Sequence, residues 1–389
     1  MKVTLERAAL LKSLTHAHRV VERRTTIPIL SNVLLRADGK ALLLKATDLD
    51  LEISESIDAD TGLPGAITVP AHVLHDIVRK LPDGAQVSLE SEEGGGQLQL
   101  RSGRSRFSLQ ALPESDFPDL AAEKFSHSFA LSAGDLKRLI DKTQFAISTE
   151  ETRYYLNGIY LHTTKSDNEA VLRAVATDGH RLARVQIPAP VGSAGMPGVI
   201  VPRKAVTEAQ RLIEDAASAV HVEVSPSKIR FTFGGAKGEG GPPQPGKLGP
   251  GAIVLTSKLI DGTFPDYARV IPSGNDKRLT VDRDEFKVAI DRVATISSER
   301  GRAVKLSLAE SKLTLSVTNP DLGSAVEEID ADYDASPLEI GFNARYLLDI
   351  AEQLDSDRML LKLADPGSPT LLQDDDGAAA LYVLMPMRV

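Results

Sequence analysis

The chain has 389 residues, of which 42% are hydrophobic and 25% charged, and it carries a formal net charge of −9 at pH 7. This composition is typical of a globular protein with two to four domains. It has no cysteine, which excludes disulfides, thiolate metal sites and a cysteine nucleophile. No apolar run approaches the roughly 20 residues of a membrane span, and the N-terminus lacks a signal-peptide core. We therefore expect a cytoplasmic protein without a membrane partner. The net negative charge at first argues against a protein that binds nucleic acid.

The first third of the chain contains four elements that recur later. A strand and a helix of about four turns occupy 1–21, and an alternating strand with a Thr-Asp corner occupies 44–53. An amphipathic helix leading into a new strand occupies 69–90, and a closing strand lies within 106–120. Asp suits such a corner because its side chain accepts bonds from nearby backbone N–H groups.

The same four elements return twice in the same order. The second set lies at 127–147, 174–185, 201–224 and 253–272, and the third at 277–297, 315–329, 342–363 and 381–389. The sequence thus predicts three domains of one α+β fold, at 1–125, 126–273 and 274–389. Each domain is expected to have two helices and roughly eight strands in antiparallel sheets.

The middle repeat carries extra length at 234–251, where 12 of 18 residues are Gly or Pro. This composition buries too little surface to order itself, so we expect a flexible insertion at a hairpin tip. A phosphate-binding loop is the alternative, but the segment lacks a Gly-Lys-Ser/Thr ending and a following helix.

The corner "ATDGHRLARV" (176–185) holds the best catalytic candidates, Asp178 and His180. The equivalent corners of the other repeats have no His, and a site of this kind needs convergent partners. We therefore interpret Asp178 as a turn cap and the neighbouring side chains as part of a binding surface. A hydrolase built on Asp178 and His180 is the competing hypothesis. His72 and His75 lie three apart on a helix without a completing carboxylate, so no metal site is predicted.

Basic residues recur on the helices. Lys12, His16, Arg19 and Arg23 follow a 4, 3, 4 spacing that would place them on one helical face. A solvated face is the common explanation, but repetition in the other units favours a continuous basic surface.

Six long segments of the chain are similar to those of a known protein family. The chain resembles the bacterial DNA polymerase III beta subunits, the sliding clamps, in "RYYLNGIYL" (153–161), "ATDGHRLA" (176–183), "VIVPRK" (199–204), "TSKLIDGTFPDYARVIP" (256–272), "EIGFNARYLLDI" (339–350) and "YVLMPMR" (382–388). The resemblance implies the DNA clamp fold and a head-to-tail dimer forming a closed ring around double-stranded DNA. Because such a ring holds DNA by topology, a mildly basic lining inside an acidic protein suffices.

The resemblance also implies partners and site residues. Partners would be a second copy of the chain, the DNA polymerase III alpha subunit, the clamp loader, and other polymerases and repair proteins that carry a short Gln/Leu/Phe peptide. No catalytic residue, metal or cofactor is implied. The implied peptide groove consists of Leu156, Thr177, Gly179, His180, Arg181, Leu182, Pro265, Arg269, Val270, Asn343, Tyr346, Val383, Leu384, Met385, Pro386, Met387 and Arg388. The implied DNA contacts are Arg24, Tyr154, Tyr155 and Lys204, and the implied dimer contacts are Phe107, Leu109 and Ile296.

Two departures from the family pattern affect the groove's edges, at Gly301 and in the loop Gly367–Pro369. A monomeric DNA-binding scaffold remains the second competing hypothesis. It would sediment as one chain and bind short linear duplex tightly, whereas a clamp would be a dimer that binds such DNA weakly.

Overall fold

The computed structural model describes residues 1–23, 25–91, 96–120, 124–214, 219–234, 248–249, 251–297 and 302–389. Most of the segment 234–251, for which we predicted a flexible insertion, lies outside these residues, as do Arg24 and Gly301. No helix of the described ranges is long and apolar enough to cross a membrane.

The described part of the first repeat has two α-helices among nine strands. In chain order these are β1 (Lys2–Glu6), α1 (Arg7–Val20), β2 (Asn32–Asp38), β3 (Ala41–Thr47), β4 (Leu51–Asp58), β5 (Asp60–Leu63), β6 (Gly65–Pro70), α2 (Ala71–Lys80), β7 (Gln86–Glu90), β8 (Gln97–Ser102) and β9 (Ser105–Gln110).

The second and third repeats follow the same order. The second contains β10 (His127–Ser132), α3 (Ala133–Gln144), β11 (Gly158–Ser166), β12 (Glu169–Thr177), β13 (Arg181–Pro188), β14 (Val199–Pro202), α4 (Arg203–Ile213), β15 (Ala219–Val224), β16 (Lys228–Phe233) and β17 (Ile253–Lys258). The third contains β18 (Lys277–Asp282), α5 (Arg283–Ala294), β19 (Ala303–Ala309), β20 (Lys312–Asn319), β21 (Gly323–Asp330), β22 (Leu338–Asn343), α6 (Ala344–Ala351), β23 (Arg358–Leu363), β24 (Thr370–Gln373) and β25 (Ala380–Leu384). The α+β class with two helices per repeat is confirmed.

Local sequence explains why these elements form. Helix α5 begins after Asp282, whose carboxylate accepts from the backbone N–H of Glu285 at 2.8 Å. Its buried residues Phe286, Ala289, Ile290 and Val293 recur at helical spacing. Strand β19 instead alternates buried and partly buried positions along its whole length, as a strand with one core face should.

The described chain packs into two compact units. One comprises Met1–Leu136, Pro190–Pro197 and Lys204–Leu259, and the other Lys137–Ala189, Gly198–Arg203 and Ile260–Val389. The first unit contains the sheets β5-β1-β7-β8-β9 and β10-β15-β16-β17-β4-β3-β2-β6, and the second contains β14-β11-β12-β13-β25-β24-β23-β18 and β21-β20-β19-β22.

The units differ from the three repeats because strand pairing crosses the repeat boundaries. Strand β4 of the first repeat pairs with β17 of the second. Strand β13 of the second repeat pairs with β25, the last strand of the third. Each eight-stranded sheet therefore joins part of the second repeat to one neighbouring repeat, and the second repeat is divided between the two units.

Candidate functional site

The corner between β12 and β13 is held by its own side chains. Oδ1 of Asp178 accepts from the backbone N–H groups of His180 at 2.9 Å and Arg181 at 3.0 Å. The equivalent corner of the first repeat is built alike, since Oδ1 of Asp48 accepts from the N–H groups of Asp50 and Leu51. The interpretation of Asp178 as a turn cap is confirmed.

Gly179 occupies a position in this corner that disfavours a side chain. Its φ of +89° lies in the left-handed region, which only glycine enters without strain. A Cβ atom there would also lie 2.5 Å from Nη1 of Arg153. The corner therefore keeps the backbone of 178–181 in one shape and presents it at the surface.

The geometry gives no support to an Asp178–His180 catalytic pair. Oδ1 of Asp178 is occupied by the two backbone bonds, and Oδ2 accepts from Nε of Arg181 at 3.1 Å. The exposed His180 ring instead stacks near Tyr346, with ring centroids 6.4 Å apart. Within the described ranges, no group of three or more His, Asp or Glu side chains could hold a metal ion.

Arg181 is the most firmly anchored polar side chain of the corner. Besides the Asp178 bond, its Nη1 donates to Oδ2 of Asp349 at 2.5 Å and its Nη2 to the carbonyl of Phe145 at 2.7 Å. Its guanidinium carbon lies 4.3 Å from the ring centroid of Tyr346 and 5.0 Å from that of Phe145. Such contacts use the planar, forked shape of arginine. Arg181 therefore fixes the place of Tyr346.

The end of the chain packs beside this corner. Strand β25 pairs with β13 so that Leu182 lies opposite Val383 and Arg181 opposite Leu384. Beyond the strand, the backbone N–H of Met385 donates to the His180 carbonyl at 2.9 Å, and that of Met387 donates to the Gly341 carbonyl at 2.8 Å. The strand itself is core, while Met385 is 37% exposed.

A buried apolar cluster lies beneath the corner and the tail. Its members are Leu156, Val175, Leu182, Ile200, Phe264, Tyr267, Leu371, Leu381 and Val383. Phe264 stacks on Tyr160 with centroids 4.8 Å apart and planes 5° from parallel. The segment after Phe264 exposes Pro265, Arg269 and Val270, and Nε of Arg269 lies 2.8 Å from Oδ2 of Asp266.

We call the surface that lies over this cluster the groove surface; it is formed by the 177–182 corner, the 265–270 segment and the tail 385–388. Asn343 contributes indirectly, because its Oδ1 accepts from the N–H groups of Arg345 and Tyr346 and so caps α6. All the groove residues named in the sequence analysis belong to one compact unit. The sequence analysis did not identify Phe145 and Asp349 as site residues, because nothing local to 145, or to the segment 339–350 that contains Asp349, indicates contact with Arg181.

The residues assigned to DNA contact have different environments. Tyr154 and Tyr155 lie in a 3-10 helix, Glu151–Leu156. Tyr154 is 53% exposed, whereas Tyr155 packs partly against the buried cluster. Lys204 ion-pairs with Asp48 and Glu22. Burial alone would lower the pKa of Lys204, but the hydrogen bond and charge of Asp48, aided by Glu22, raise it.

The expected basic face of the first helix is corrected in part. Lys12 and Arg19 are exposed, but His16 is 5% exposed and its Nδ1 lies 2.9 Å from Oε2 of Glu55. Arg23 lies beyond the end of α1 at Val20. A spacing of 4, 3, 4 does not show which side of a helix meets the sheet, and here His16 is on the sheet side.

The three residues implied for dimer contact are unequally accessible. Phe107 is 36% exposed on β9, which is an edge strand. Leu109 on the same strand is 8% exposed and already packs within its own unit. Ile296 is half-buried just after α5, and its carbonyl accepts from the Asn319 side chain at 3.0 Å.

Comparisons with known proteins cover the whole chain. Residues 1–121, 130–239 and 268–388 match the family models for the N-terminal, central and C-terminal domains of the DNA polymerase III beta subunit. The chain is 54% identical to the beta sliding clamp of Caulobacter vibrioides and 39% identical to that of Escherichia coli, with 100% of both chains covered in each comparison. It is also similar to the crystal structure of a sliding clamp from Bartonella birtlesii bound to griselimycin, at 54% identity, full coverage of both chains and a TM-score of 0.92. The chain belongs to the DNA polymerase III beta subunit family, the beta sliding clamps.

Proposed function

We propose that two copies of this chain associate head to tail into a closed ring that encircles duplex DNA and tethers the replicative polymerase to it. The carrying observation is the similarity to beta sliding clamps over 100% of the chain at 54% identity. The ring is non-catalytic in this proposal. Each chain of the ring has three domains in this proposal, 1–125, 126–273 and 274–389, and they need no cofactor.

The edge strands support a seam between two copies. Strand β9 ends one sheet of the first unit and β21 ends one sheet of the second, so each presents unpaired backbone groups. Strand β9 carries exposed Arg106 beside Phe107, and exposed Arg104 lies in the turn just before it, whereas β21 carries Glu327 and Glu328. Opposite charges on two edges favour pairing in one orientation. We place Phe107 at this seam with Ile296 of the partner subunit, and assign Leu109 a supporting role in its own core.

The groove surface supports partner binding. It combines a large buried apolar cluster with a few fixed polar groups, which is the usual composition of a ligand site. We propose that it takes the Gln/Leu/Phe peptides of the DNA polymerase III alpha subunit, the clamp loader, other polymerases and repair proteins. Arg24, Tyr154, Tyr155 and Lys204 are proposed to face DNA. The Asp48 and Glu22 partners of Lys204 would weaken its attraction to phosphate.

The test is retention on DNA of different topology. After loading onto a nicked circle by the clamp loader, the protein should survive a wash at about 0.5 M salt, where charges are screened beyond roughly 4–5 Å. Cutting the circle once should release it, because a ring slides off an end. Equal retention on circular and linear DNA would favour a monomeric scaffold that grips DNA, and would reject the ring.

A matched pair of variants tests the seam. Phe107→Asp should sediment as a monomer and fail to stay on the circle. Val288→Asp is the control, because Val288 is also exposed but lies on helix α5. A Phe107→Asp protein that remains dimeric would move the seam elsewhere.

A further inference from the structure

Two arginines lie on the sheet face beneath the groove surface. In β13, Arg184 is opposite Val175 of β12 and Leu381 of β25, both members of the buried apolar cluster. Arg173 lies two residues before Val175, so it points to the same face of β12. We call Arg173 and Arg184 the cationic pair.

Arg184 lacks the partners that a guanidinium normally has at such a site. Its Nε is buried and has no hydrogen-bond partner among the described residues. Among the described residues, the ionisable side chains that act on Arg184 are Arg173 and Tyr267, neither of which is a carboxylate. Burial, followed by the charge of Arg173, lowers the pKa of Arg184 to about 10. An uncompensated charge of this kind costs stability.

The polar side chains around the cationic pair are those of Gln186, Tyr267 and His162, and none of them is a carboxylate. Nε of Arg173 donates to Oε1 of Gln186 at 2.8 Å, and its Nη1 donates to the Tyr267 hydroxyl at 3.4 Å. That hydroxyl also lies 2.9 Å from Nε2 of His162. Burial lowers the pKa of His162, and the nearby Arg173 charge lowers it further. The pair therefore places two positive charges next to the buried apolar cluster, and Nε of Arg184 has hydrogen-bond capacity left over among the described residues.

We propose that the cationic pair is an anion subsite of the groove, which binds an acidic side chain flanking the apolar motif of a partner peptide. This inference rests on the proposed peptide-binding function. A carboxylate fits because it accepts two parallel bonds from a guanidinium, and the Arg184 residue as a whole is only half-buried although its Nε is covered. The charge of the carboxylate would also offset the repulsion between the two arginines. The subsite would thus add a charge preference to a surface that otherwise selects apolar side chains.

Three peptides with one apolar Gln/Leu/Phe motif test the proposal. One has Asp-Asp before the motif, one has Asp-Asp after it, and one has Asn-Asn at both places; all have amidated C-termini. On the wild-type protein, one acidic peptide should bind about tenfold more tightly than the Asn peptide. The Arg184→Gln variant should lose this preference while its affinity for the Asn peptide stays within about twofold. Arg358→Gln, which removes an exposed charge on β23, should keep the preference.

The outcomes separate this inference from the function on which it rests. Equal affinity of all three peptides for the wild-type protein would overturn the subsite and leave the groove intact. If no peptide binds, both proposals fail. If a free-acid C-terminus on the Asn peptide restores tenfold tighter binding but Asp side chains do not, the ligand is a terminal carboxylate, and the side-chain proposal is wrong.

A stability measurement gives a second readout. The Arg184 guanidinium destabilises the peptide-free protein because its charge has no carboxylate partner among the described residues. The Arg184→Met variant should therefore melt at a higher temperature than the wild type, and it should lose the preference for the acidic peptide. A lower melting temperature would show that Arg184 is a structural residue, which would overturn the proposal.

Discussion

The guanidinium of Arg181 lies 4.3 Å from the ring centroid of Tyr346, and its Nη1 bonds the carboxylate of Asp349 one helical turn further along α6. These contacts join the 177–182 corner to the helix of the last repeat. They hold both against the tail that begins at Met385.

Arg181→Lys should weaken peptide binding about tenfold, or ~1.4 kcal/mol. Lysine keeps the charge but cannot bond Asp178, Asp349 and the Phe145 carbonyl together, nor stack on Tyr346. Isothermal titration with a Gln/Leu/Phe peptide measures the effect. Arg358→Lys is the control, since the Arg358 side chain is 60% exposed, lies on β23 outside the groove surface and should change affinity by less than threefold. Equal losses in both variants would contradict the anchoring role.

Deleting Met385 to Val389 should abolish peptide binding and leave the dimer and the melting temperature nearly unchanged. Strand β25 ends at Leu384, so the sheet keeps its last strand. Burying a partner's Leu or Met contributes roughly 1.5–3 kcal/mol, and losing one wall should cost at least tenfold in affinity. Normal binding by the truncated protein would place the groove elsewhere, and a collapse of the fold would make the tail a core element.

Gly341→Ala should displace the same tail without removing it. A Cβ atom at Gly341 would lie 2.7 Å from the Met387 carbonyl oxygen and 2.3 Å from a methyl group of Val389. We expect severalfold weaker peptide binding, measured by fluorescence anisotropy. Gly274→Ala serves as the comparison because a Cβ there would meet nothing within 4 Å. Unchanged affinity in Gly341→Ala would show that the tail's position does not matter for binding.

Gly179→Ala should destabilise the protein by about 1–2 kcal/mol, because alanine pays that cost in the left-handed region. The added methyl group would also push Arg153 aside, and Arg153 donates to the Asp178 carbonyl at 3.4 Å. Chemical denaturation of Gly179→Ala and Gly274→Ala side by side measures the difference. A free energy of unfolding equal to that of the wild type would mean that the corner relaxes at no cost.

Three histidines between α1 and α2 should make stability depend on pH. The rings of His18 and His75 stack 4.1 Å apart, and His72 meets His18 edge-on at 5.5 Å. Burial lowers the pKa of His72 and of His75, and the nearby His18 charge lowers both further. The unfolded chain, whose histidines titrate near 6.5, therefore takes up protons first as the pH falls. The contribution of the neutral His72 and His75 to the free energy of unfolding is therefore complete above about pH 6.5 and declines below it.

The measurement is the melting temperature from pH 8 to pH 5.5. His75→Gln should show a smaller decline than the wild type over this range. His180→Gln, which changes an exposed ring, should follow the wild-type curve. Parallel curves for His75→Gln and the wild type would show that the cluster does not couple folding to protonation.

Much of the local structure could be predicted because its causes lie within a few residues. Asp178 caps its corner through N–H groups two and three residues ahead. Residues that depend on distant neighbours were harder to place. His16 has helical spacing from Lys12 and Arg19, yet it is buried because Glu55, 39 residues away, bonds it.

The sequence by itself determined the α+β class, the threefold repetition and the residues of each corner, since hydrophobic period and turn chemistry act locally. The tertiary structure alone decided which repeats share a sheet, because pairing such as β13 with β25 joins residues far apart in the chain. It also brought Arg181 to Asp349, across 168 positions, and left Nε of Arg184 buried without a hydrogen-bond partner among the described residues. Such contacts depend on the summed packing of whole sheets, which no short stretch of sequence encodes.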